Sequence, residues 1–316
     1  MYSVCSVVSP SYKIGVDGGG TKTELILIDS AGAIVARHLA PGCNPSHVGA
    51  EKARGILTEA LDALLGESKI ENPKSKISAT ALYMAGSPVF WREFAAALAG
   101  HGAVTTGPDS LPVLELATAG APGLVLHAGT GSFVTARAAD GSVHYAGGLG
   151  WKFGDAGSGF DLGRRAIAQA LLDLQSGPPA GQHGPSPLAE ALQRHTGLTE
   201  YAAISRYFYS DPEAHAQIAA FAPQVLELAA ADFGPAQQVL ADSVTELARL
   251  AHHVMHRLFP APAGALPCGI SGRILNSPPA AYALRALAAQ LQWPVELRFI
   301  TTAPIEGVRR LLLAGR

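Results

Sequence analysis

The sequence carries little charge for its length of 316 residues. Only 15% of its residues are charged, and 23 basic against 25 acidic residues give a formal net charge of −2. Neither sign forms a long run. A nucleic-acid surface or a polybasic membrane contact needs clustered lysine and arginine, so the composition argues against both kinds of partner. Long hydrophobic runs are missing as well, because no stretch approaches the roughly 20 apolar residues of a membrane span.

Cysteine is also scarce. The three cysteines, Cys5, Cys43 and Cys268, lie far apart in the chain. An odd and sparse set forms neither a disulfide framework nor a four-cysteine zinc site. Residues 1–5 lack the basic region and the long apolar run of a secretory signal. We therefore expect a protein of the reducing cytoplasm.

Apolar residues, in contrast, make up 48% of the chain. This fraction excludes a disordered chain and predicts an extensive core. A single core would be unusually large at this length, so we expect two lobes of comparable size. We place their boundary near residues 107–120, which predicts an N-terminal lobe over residues 1–115 and a C-terminal lobe over residues 116–316.

Hydrophobic periodicity predicts an α/β fold whose second half is the more helical. Three strands are expected within residues 13–38, and further strands at residues 77–85, 103–106, 123–127, 265–271 and 294–300. Helices are expected at residues 46–66, where Gly66 would end the helix, at 88–99, 110–118, 158–175, 187–195, 214–232, 235–258 and 278–290, and after Pro304. The Gly/Pro-rich stretch 176–187 separates two of them.

One pattern occurs twice with a constant offset. Thr21 in DGGGTK and Thr130 in HAGTGS are 109 positions apart, and so are the turn glycines Gly32 and Gly141. A unit of strand, Gly–Thr loop, strand, turn and strand is therefore repeated without a gap. The simplest explanation is a duplicated αβ lobe.

The first Gly–Thr loop, which we call loop 1 (residues 17–22), lies between two predicted strands. Glycines allow a backbone to approach a polyanion, and a threonine hydroxyl adds a donor. Asp17 would repel phosphate, so its expected role is to hold a hydrated Mg²⁺. The loop is neither a Walker A motif nor a dinucleotide fingerprint, because a strand follows it. The alternative is a tight hairpin that needs glycines only for positive φ.

The second Gly–Thr loop, loop 2 (residues 129–132), is its counterpart in the other predicted lobe. Two such loops can hold the phosphates of one nucleotide from opposite sides. The quoted segments DGGGTKTELILID, AGTGSF, GGLGWKFGDAGSGFDLGRRAI and GISGRILNS resemble the sugar kinase, heat-shock-protein-70 and actin superfamily. Within it, they most resemble N-acetylglucosamine kinases and the wider BadF/BadG/BcrA/BcrD ATPase family.

The resemblance implies two duplicated actin-like (ribonuclease H-like) αβ lobes with an ATP cleft between them. It implies Mg²⁺-dependent transfer of the γ-phosphate of ATP to a primary hydroxyl of a hexose, such as N-acetylglucosamine or glucosamine. A homodimer is implied as well. Two departures leave the sugar open, since Leu149 and Ala156 stand where the family has tryptophan and glutamate. We expect an acceptor site that tolerates an N-acetyl group without strictly demanding it.

Individual roles follow from the same resemblance, motif by motif. The residues assigned to the ATP phosphates are Gly19, Gly20, Thr21 and Lys22 in loop 1 and Gly129, Thr130, Gly131 and Ser132 in loop 2. Those assigned to adenosine are Gly272 and Asn276, and those assigned to the sugar are Asn44, Asp109, Gly147, Gly148 and Asp155. Asp109 matches the carboxylate that acts on the sugar hydroxyl, and it is our candidate general base.

Each polar candidate also has a structural interpretation. Asp109 suits the N-cap of a helix, Asp155 an Asx turn, and Asn44 the start of a helix before a proline. His252 and His256, at i and i+4, resemble half a metal site, but no third ligand suggests itself and a solvated helix face is expected instead. His127, beside loop 2, is expected to be a packed strand residue.

Two other functions fit parts of the sequence. The first is an ATPase that activates a dehydratase or reductase partner, whose iron–sulfur cluster would need thiolates. No cysteine occurs between Cys43 and Cys268, where such ligands are expected. The second is a non-catalytic sugar sensor, which would carry a basic helix-turn-helix extension. Only about a dozen residues precede the first predicted strand.

Overall fold

The computed structural model describes residues 11–177, 184–262 and 264–315. Spatial contacts between residues divide the chain into two compact units. The first is formed by residues up to 119 together with residues from 302, and the second by residues 120–301. Residues 1–10, which include Cys5 and the segment in which no secretory signal is expected, and residues 178–183 of the Gly/Pro-rich stretch lie outside the described residues.

The described residues contain ten strands and twelve α-helices. The strands are β1 (Tyr12–Gly18), β2 (Lys22–Ile28), β3 (Ile34–Pro41), β4 (Ile77–Met84), β5 (Ala103–Pro108), β6 (Gly123–Ala128), β7 (Ser132–Arg137), β8 (Val143–Gly147), β9 (Leu266–Ser271) and β10 (Val295–Phe299). The helices are α1 (Pro45–Val48), α2 (Ala50–Glu67), α3 (Pro88–Ala97), α4 (Ser110–Thr118), α5 (Gly159–Ser176), α6 (Pro187–Thr196), α7 (Tyr201–Ser210), α8 (Ala214–Ala219), α9 (Ala222–Ala230), α10 (Gly234–Leu258), α11 (Pro278–Gln290) and α12 (Pro304–Ala314).

The two units have the same sheet topology. The first sheet has the order β3-β2-β1-β4-β5 and the second β10-β9-β6-β7-β8, so β6 to β10 take the places of β1 to β5. In each sheet the first three strands in chain order are antiparallel neighbours and the later two run parallel to the first. This arrangement confirms the duplicated αβ lobe.

The turns confirm the 109-residue offset itself. Asp29 donates its N–H to the Ala33 carbonyl over 3.0 Å, and Ala138 donates to Ser142 over 2.9 Å. Both pairs are separated by 109 positions, and the glycines inside the turns, Gly32 and Gly141, have φ of 82° and 84°.

The sheet of the first unit is covered on both faces, which explains why β2 is apolar at consecutive positions. Successive side chains of a strand point to opposite faces. Leu25 and Leu27 pack in a core with residues of α2 and α3, whereas Ile26 and Ile28 pack with residues of α12. Neither face of this strand is left to solvent.

The C-terminal helix α12 is where the division into units differs from the expected lobes. Residues 116–316 were expected to form the second lobe, yet α12 belongs to the first unit. Its apolar stripe, Ile305, Val308, Leu311 and Leu312, is buried against the second face of the first sheet. Lys13 of β1 also donates to the Leu312 carbonyl over 2.8 Å.

Three helices differ from the predicted pattern. The helix expected at 46–66 is split into α1 and α2 by Gly49, whose φ of 85° ends α1, and Gly66 lies inside α2 instead of ending it. The helix expected at 214–232 is divided into α8 and α9. Helix α7 was not predicted, because only Ile204 among its residues is buried and no side chain caps its start.

Candidate active site

Loop 1 is a turn whose backbone is fixed by the chain segment that follows β3. The Gly19 N–H donates to the Lys22 carbonyl over 2.9 Å, while Gly42 and Cys43 donate to the Thr21 and Gly19 carbonyls over 3.1 and 3.3 Å. Gly20 and Thr21 remain exposed. The loop is therefore held from one side while its tip, with the Thr21 hydroxyl, faces solvent.

The glycines of loop 1 do not serve a left-handed hairpin. Neither Gly18, Gly19 nor Gly20 has a positive φ, so the alternative drawn from the sequence fails on this point. They are needed for space instead: a Cβ on Gly18 would overlap the Met84 side chain, and one on Gly20 would lie 3.0 Å from Nδ1 of His47. Small residues at these positions allow close approach to the backbone.

Three carboxylates lie near one another at one end of the first sheet. Asp17 of β1 faces Glu24 across the β1–β2 pair. The pKa of Asp17 is raised from 3.8 to about 7. Burial is the largest cause, repulsion from Asp109 and Glu24 adds to it, and Lys22 lowers the pKa. Glu24 is paired with Lys22 and Arg37, and the repulsion that raises the pKa of Asp17 is relieved by a proton or by a bound cation.

Asp109 follows β5, at the carboxyl end of the parallel strands β1, β4 and β5. In open α/β sheets, ligands bind at this end. Burial raises the pKa of Asp109 to about 6, although the backbone N–H groups of Asp109 and Ser110 partly oppose the shift. Asp109 occupies the N-cap position of α4, but its side chain makes no capping hydrogen bond in the described structure. The carboxylate is thus not used as a cap.

Asn44 does start a helix, as its structural interpretation expects. Its Oδ1 accepts from the Ser46 N–H over 3.0 Å and caps α1. Because the oxygen is engaged, the amide NH₂ is the group that Asn44 can offer to a ligand. Gly86 makes room for this side chain, since a Cβ there would lie 2.5 Å from Oδ1.

Loop 2 is joined to the start of α5. The N–H groups of Gly159 and Phe160 donate to the carbonyls of Gly129 and Thr130 over 2.7 and 3.3 Å. Ser132 is buried and its hydroxyl donates to the Ala156 carbonyl over 2.7 Å. Thr130 is exposed, so its hydroxyl, and not that of Ser132, is the side-chain donor that loop 2 presents to solvent.

Asp155 lies directly beside loop 2. Its Oδ2 would be 3.0 Å from a Cβ on Gly131, and its φ of 67° is left-handed, which is strained for a residue other than glycine. Its Oδ1 is buried and has no hydrogen-bond partner among the described residues. Burial raises the pKa of Asp155, while the N–H groups of Gly150 and Ser132 lower it. An unpaired carboxylate oxygen of this kind suits a ligand hydroxyl.

The loop between β8 and Asp155 extends from the same place. Gly147 and Gly148 both have positive φ, and the Gly148 N–H donates to the Ser132 carbonyl over 3.0 Å. Beyond them, Leu149 and Phe153 are 66% and 81% exposed.

The segment after β9 makes a close approach to β6. Gly272 has a φ of 92°, and a Cβ on it would overlap the Ala128 carbonyl oxygen, so only glycine fits. Asn276 donates from Nδ2 to the Ile300 carbonyl over 2.9 Å, while its Oδ1 is buried and has no partner in the described part of the chain. An unsatisfied buried acceptor is uncommon and marks a candidate ligand contact.

His127 is a packed strand residue, as expected. Its ring stacks on Phe133 with centroids 4.8 Å apart, and Nδ1 is 3.2 Å from the Ser271 hydroxyl. Burial lowers the pKa of His127 to about 4, so the ring is neutral at physiological pH.

In the pair His252 and His256, His252 has a structural partner. Trp293 donates from Nε1 to Nδ1 of His252 over 3.0 Å, so the proton of the neutral His252 ring must be on Nε2, which then has no lone pair for a metal. Across residues 11–177, 184–262 and 264–315, no group of three or more His, Cys, Asp or Glu side chains could hold a metal ion. A Mg²⁺ held by one carboxylate and substrate phosphates would not need such a group.

Two buried ionic clusters have no counterpart among the residues predicted from the sequence. Both carboxylate oxygens of Asp161 accept from Nε of Arg165 at 2.9 Å. Oδ2 also accepts from the Ser243 hydroxyl at 2.7 Å and from the Gly157 N–H at 3.3 Å, and so Asp161 fixes the turn after Asp155. The second cluster is centred on the buried Glu24, which is paired with Lys22 and Arg37. The Ser158-x-x-Asp161 spacing is a capping-box pattern, and this pattern could have drawn attention to the Asp161 cluster.

The fold and loops place the chain in a known class. Two sheets of this topology, each with a Gly–Thr loop between its first two strands, form the duplicated α/β fold of actin-like sugar kinases. The model of the BadF/BadG/BcrA/BcrD ATPase family matches residues 14–265. The chain belongs to this family.

Three comparisons relate the chain to individual proteins. It is 26% identical over 260 residues to an N-acetyl-D-glucosamine kinase of Dictyostelium discoideum, covering 78% of this chain and 79% of that one. A proposed N-acetylglucosamine kinase from Chromobacterium violaceum superposes with a TM-score of 0.74 at 28% identity, over 96% of this chain and 99% of that one. A ROK family glucokinase from Streptomyces griseus shares the fold, with a TM-score of 0.57 at 14% identity over 95% of this chain and 97% of that one.

None of the helices among the described residues has the length and apolar character to cross a membrane.

Proposed function

We propose that this protein is an ATP-dependent amino sugar kinase. The observation that carries the proposal is Asp109, a carboxylate that is not used as a helix cap and whose pKa is raised by burial to about 6. It lies at the ligand-binding end of a sheet that also bears loop 1. The similarity to N-acetylglucosamine kinases over most of the chain supports an amino sugar as the acceptor.

Asp109 would act as the general base. A base is most effective when its pKa lies near the working pH, and a pKa of about 6 leaves Asp109 ionised at neutral pH. As the acceptor oxygen bonds to the γ-phosphorus of ATP, its proton passes to a carboxylate oxygen of Asp109. The bond between the γ-phosphorus and the bridging oxygen breaks, and ADP leaves. Phosphoryl transfer asks the protein chiefly for positioning and charge stabilisation.

The other predicted site residues would bind and orient the two substrates. Thr21 and Thr130, with the glycines of the two loops, would contact phosphate oxygens. Asn44, through its NH₂ group, and Asp155, through its unpaired Oδ1, would hold sugar hydroxyls, with Gly147 and Gly148 shaping the adjoining loop. Gly272 and Asn276 would contact adenosine. Ser132 would support loop 2 from within, since its hydroxyl already donates to Ala156.

The carboxylates around Asp17 fit a hydrated Mg²⁺. Asp17 pairs in register with Glu24 and experiences repulsion from both Glu24 and Asp109, and a divalent cation would remove that repulsion. When bound, Mg²⁺ would neutralise charge on the ATP phosphates. A homodimer and a cytoplasmic location remain predictions from the sequence.

A screen of ADP release with candidate acceptors tests the proposal. N-acetylglucosamine, glucosamine, glucose, N-acetylmannosamine and anhydro-sugars are each supplied with ATP and Mg²⁺, and one amino sugar is expected to stimulate ADP release strongly. We expect kcat/KM for N-acetylglucosamine to exceed that for glucosamine by less than about 10⁴-fold, because a larger ratio requires a site built to hydrogen-bond the acetamido group. ADP release that no sugar stimulates would contradict a sugar kinase.

The activating ATPase is the second candidate, and the described cysteines do not favour it. Cys43 and Cys268 are both buried, and burial raises the pKa of each thiol, that of Cys268 to about 12. A cluster ligand must be a thiolate. Visible absorbance of an iron–sulfur cluster in anaerobically purified protein would favour this candidate, and a colourless protein would reject it. Tight sugar binding without turnover would instead indicate a sensor.

A further inference from the structure

The turn that carries Asp155 is fastened to loop 2. We call residues 155–158 the Asp155 turn. The buried Ser132 hydroxyl of loop 2 donates to the Ala156 carbonyl over 2.7 Å, and the Ser158 N–H closes the turn on the Asp155 carbonyl over 3.0 Å. The φ of Asp155 is 67°. A left-handed aspartate is strained and persists only where its surroundings hold it, so the turn depends on such contacts.

A buried carboxylate holds the other side of this turn. Asp161 lies in the first turn of α5, and its Oδ2 accepts from the Gly157 N–H over 3.3 Å. The same oxygen accepts from the Ser243 hydroxyl of α10 over 2.7 Å. Nε of Arg165 donates to both carboxylate oxygens over 2.9 Å, and the same arginine pairs with Glu246 of α10 over 2.7 Å. Asp161 therefore links this turn to α10.

The link requires both oxygens of Asp161 to be acceptors. The variant Asp161→Asn would replace one of them by an NH₂ group. Because Nε–H of Arg165 donates to both oxygens, the NH₂ would face that donor in either orientation. With NH₂ in place of Oδ2, the Gly157 N–H would lose its acceptor as well. An amide of the same shape therefore cannot reproduce the contacts of the carboxylate.

Loop 2 is attached to α5 by backbone groups instead. The N–H groups of Gly159 and Phe160 donate to two carbonyls of loop 2 over 2.7 and 3.3 Å. The side chain of Asp161 takes no part in these two bonds. A change of this side chain should therefore disturb the turn at residues 155–158 more than it disturbs the phosphate loop.

We propose that Asp161 is a positioning residue for the sugar, because it holds the Asp155 turn to α10. The inference rests on the sugar contact of Asp155 in the proposed function and deepens it. The unpaired Oδ1 of Asp155 meets a sugar hydroxyl only while the strained turn keeps its conformation. Asp161 would act through Asp155 without touching the sugar, and Ser243 would contribute through the same carboxylate.

Calorimetric titrations of the full chain test this role, with N-acetylglucosamine as one ligand and a non-hydrolysable ATP analogue with Mg²⁺ as the other. Asp161→Asn should bind the sugar about tenfold more weakly, as for loss of one hydrogen bond to a charged group. It should bind the ATP analogue within about twofold of the wild type. Asp173→Asn is the matched control, because Asp173 is an aspartate of α5 that also accepts side-chain hydrogen bonds, from Gln169 and Ser186. The control should change neither affinity.

A double-mutant cycle separates positioning from general destabilisation. Asp161→Asn added to Asp155→Asn should weaken sugar binding by less than about twofold further, since a residue that acts through Asp155 has nothing left to position. A purely structural role would lower the fraction of protein that binds and leave the affinity of that fraction unchanged. In turnover, Asp161→Asn should raise the KM for N-acetylglucosamine by the same factor as the calorimetric loss and leave the KM for ATP unchanged.

Ser243→Ala is a milder variant, which removes one hydroxyl and keeps the charge of Asp161. It should weaken sugar binding about threefold, and it decides the matter if Asp161→Asn does not fold. The inference is overturned by unchanged sugar affinity in Ser243→Ala or in a folded Asp161→Asn, by equal losses for the sugar and the ATP analogue, or by additive losses in the double variant.

Failure of the proposed function has a different signature. A wild-type protein that binds N-acetylglucosamine in a manner that depends on Asp161, yet phosphorylates no sugar, would refute the kinase and leave the inference intact. A wild-type protein that does not bind N-acetylglucosamine would refute both.

Discussion

Replacing Asp17 by asparagine should stabilise the protein at alkaline pH, because the wild type must bury an ionised carboxylate. The folded pKa of Asp17 is about 7, against 3.8 for an unperturbed aspartate. Between these two pH values the folded state holds a proton that the unfolded state has lost. By linkage, the wild-type free energy of unfolding falls as the pH rises through this range, and the fall ends just above the folded pKa. The variant has no such proton.

The size of the change in unfolding free energy follows from the difference between the pKa of Asp17 in the folded and the unfolded state. Each pKa unit corresponds to about 1.4 kcal/mol, so raising the pH from 5 to 8, which crosses the two units up to the folded pKa, should cost the wild type about 3 kcal/mol through Asp17. Asp109 is present in both proteins, so its own titration largely cancels in the comparison. The stability gap in favour of Asp17→Asn should widen by about this amount between pH 5 and pH 8.

Urea unfolding in EDTA at the two pH values measures the gap. Replacing Trp151 and Trp293 by phenylalanine in every protein leaves Trp91, which is buried in the first unit, as the reporter of that unit. Asp62→Asn, which breaks an exposed ion pair with Lys74, controls for the loss of one negative charge and should change little. A gap for Asp17→Asn that stays constant or narrows as the pH rises would refute the account of a buried, mutually repelling carboxylate cluster.

Two further substitutions test the second unit. Thr130→Val removes the exposed hydroxyl of loop 2 and should raise the KM for ATP or lower kcat while sugar binding stays nearly unchanged; steady-state kinetics with ATP as the varied substrate decide it, and unchanged ATP kinetics would remove loop 2 from the phosphate site. Gly272→Ala should destabilise the protein by at least about 2 kcal/mol more than Gly141→Ala, since both have positive φ but only Gly272 would clash with the Ala128 carbonyl. Urea unfolding compares the two, and equal losses would show that the close approach is relaxed at little cost.

Local patterns were sufficient to predict much of the fold. The strands on either side of Thr21 and Thr130 are short, apolar and bounded by glycine turns, so their type and their repetition are visible along the chain. The repeat is confirmed by hydrogen bonds that share the 109-residue offset. Helix α11 was expected at residues 278–290, which are its bounds in the structure, because Pro278 and a clear apolar stripe define it.

Contacts between distant residues could not be predicted in the same way. The return of α12 to the first sheet depends on a second apolar face of β2, and an uninterrupted apolar run does not say what will cover it. The Asp161 cluster joins side chains 82 positions apart, as in its hydrogen bond with Ser243. The tight space at Gly20, where a Cβ would lie 3.0 Å from Nδ1 of His47, likewise depends on how the segment after β3 folds back on loop 1.

The site residues differ in how far local sequence constrains them. Asn44 starts a helix in the way its Asn-Pro sequence predicts. The raised pKa of Asp109 and the missing capping bond depend on tertiary burial, which a residue's neighbours in sequence do not determine. The left-handed backbone of Asp155 and its unpaired oxygen are equally invisible without the structure.

The kcat of Asp109→Asn, measured with the best acceptor alongside the thermal stability of the variant, tests the central claim most directly. A positioned general base contributes about 10²–10⁴-fold, so kcat should fall by that factor. Stability should not fall, because asparagine keeps a side-chain oxygen that can accept from the backbone N–H groups of residues 109 and 110 and is as good an N-cap as aspartate. Full kcat in the variant, or a loss of activity that only accompanies a collapse of the melting temperature, would contradict the assignment of Asp109 as the base.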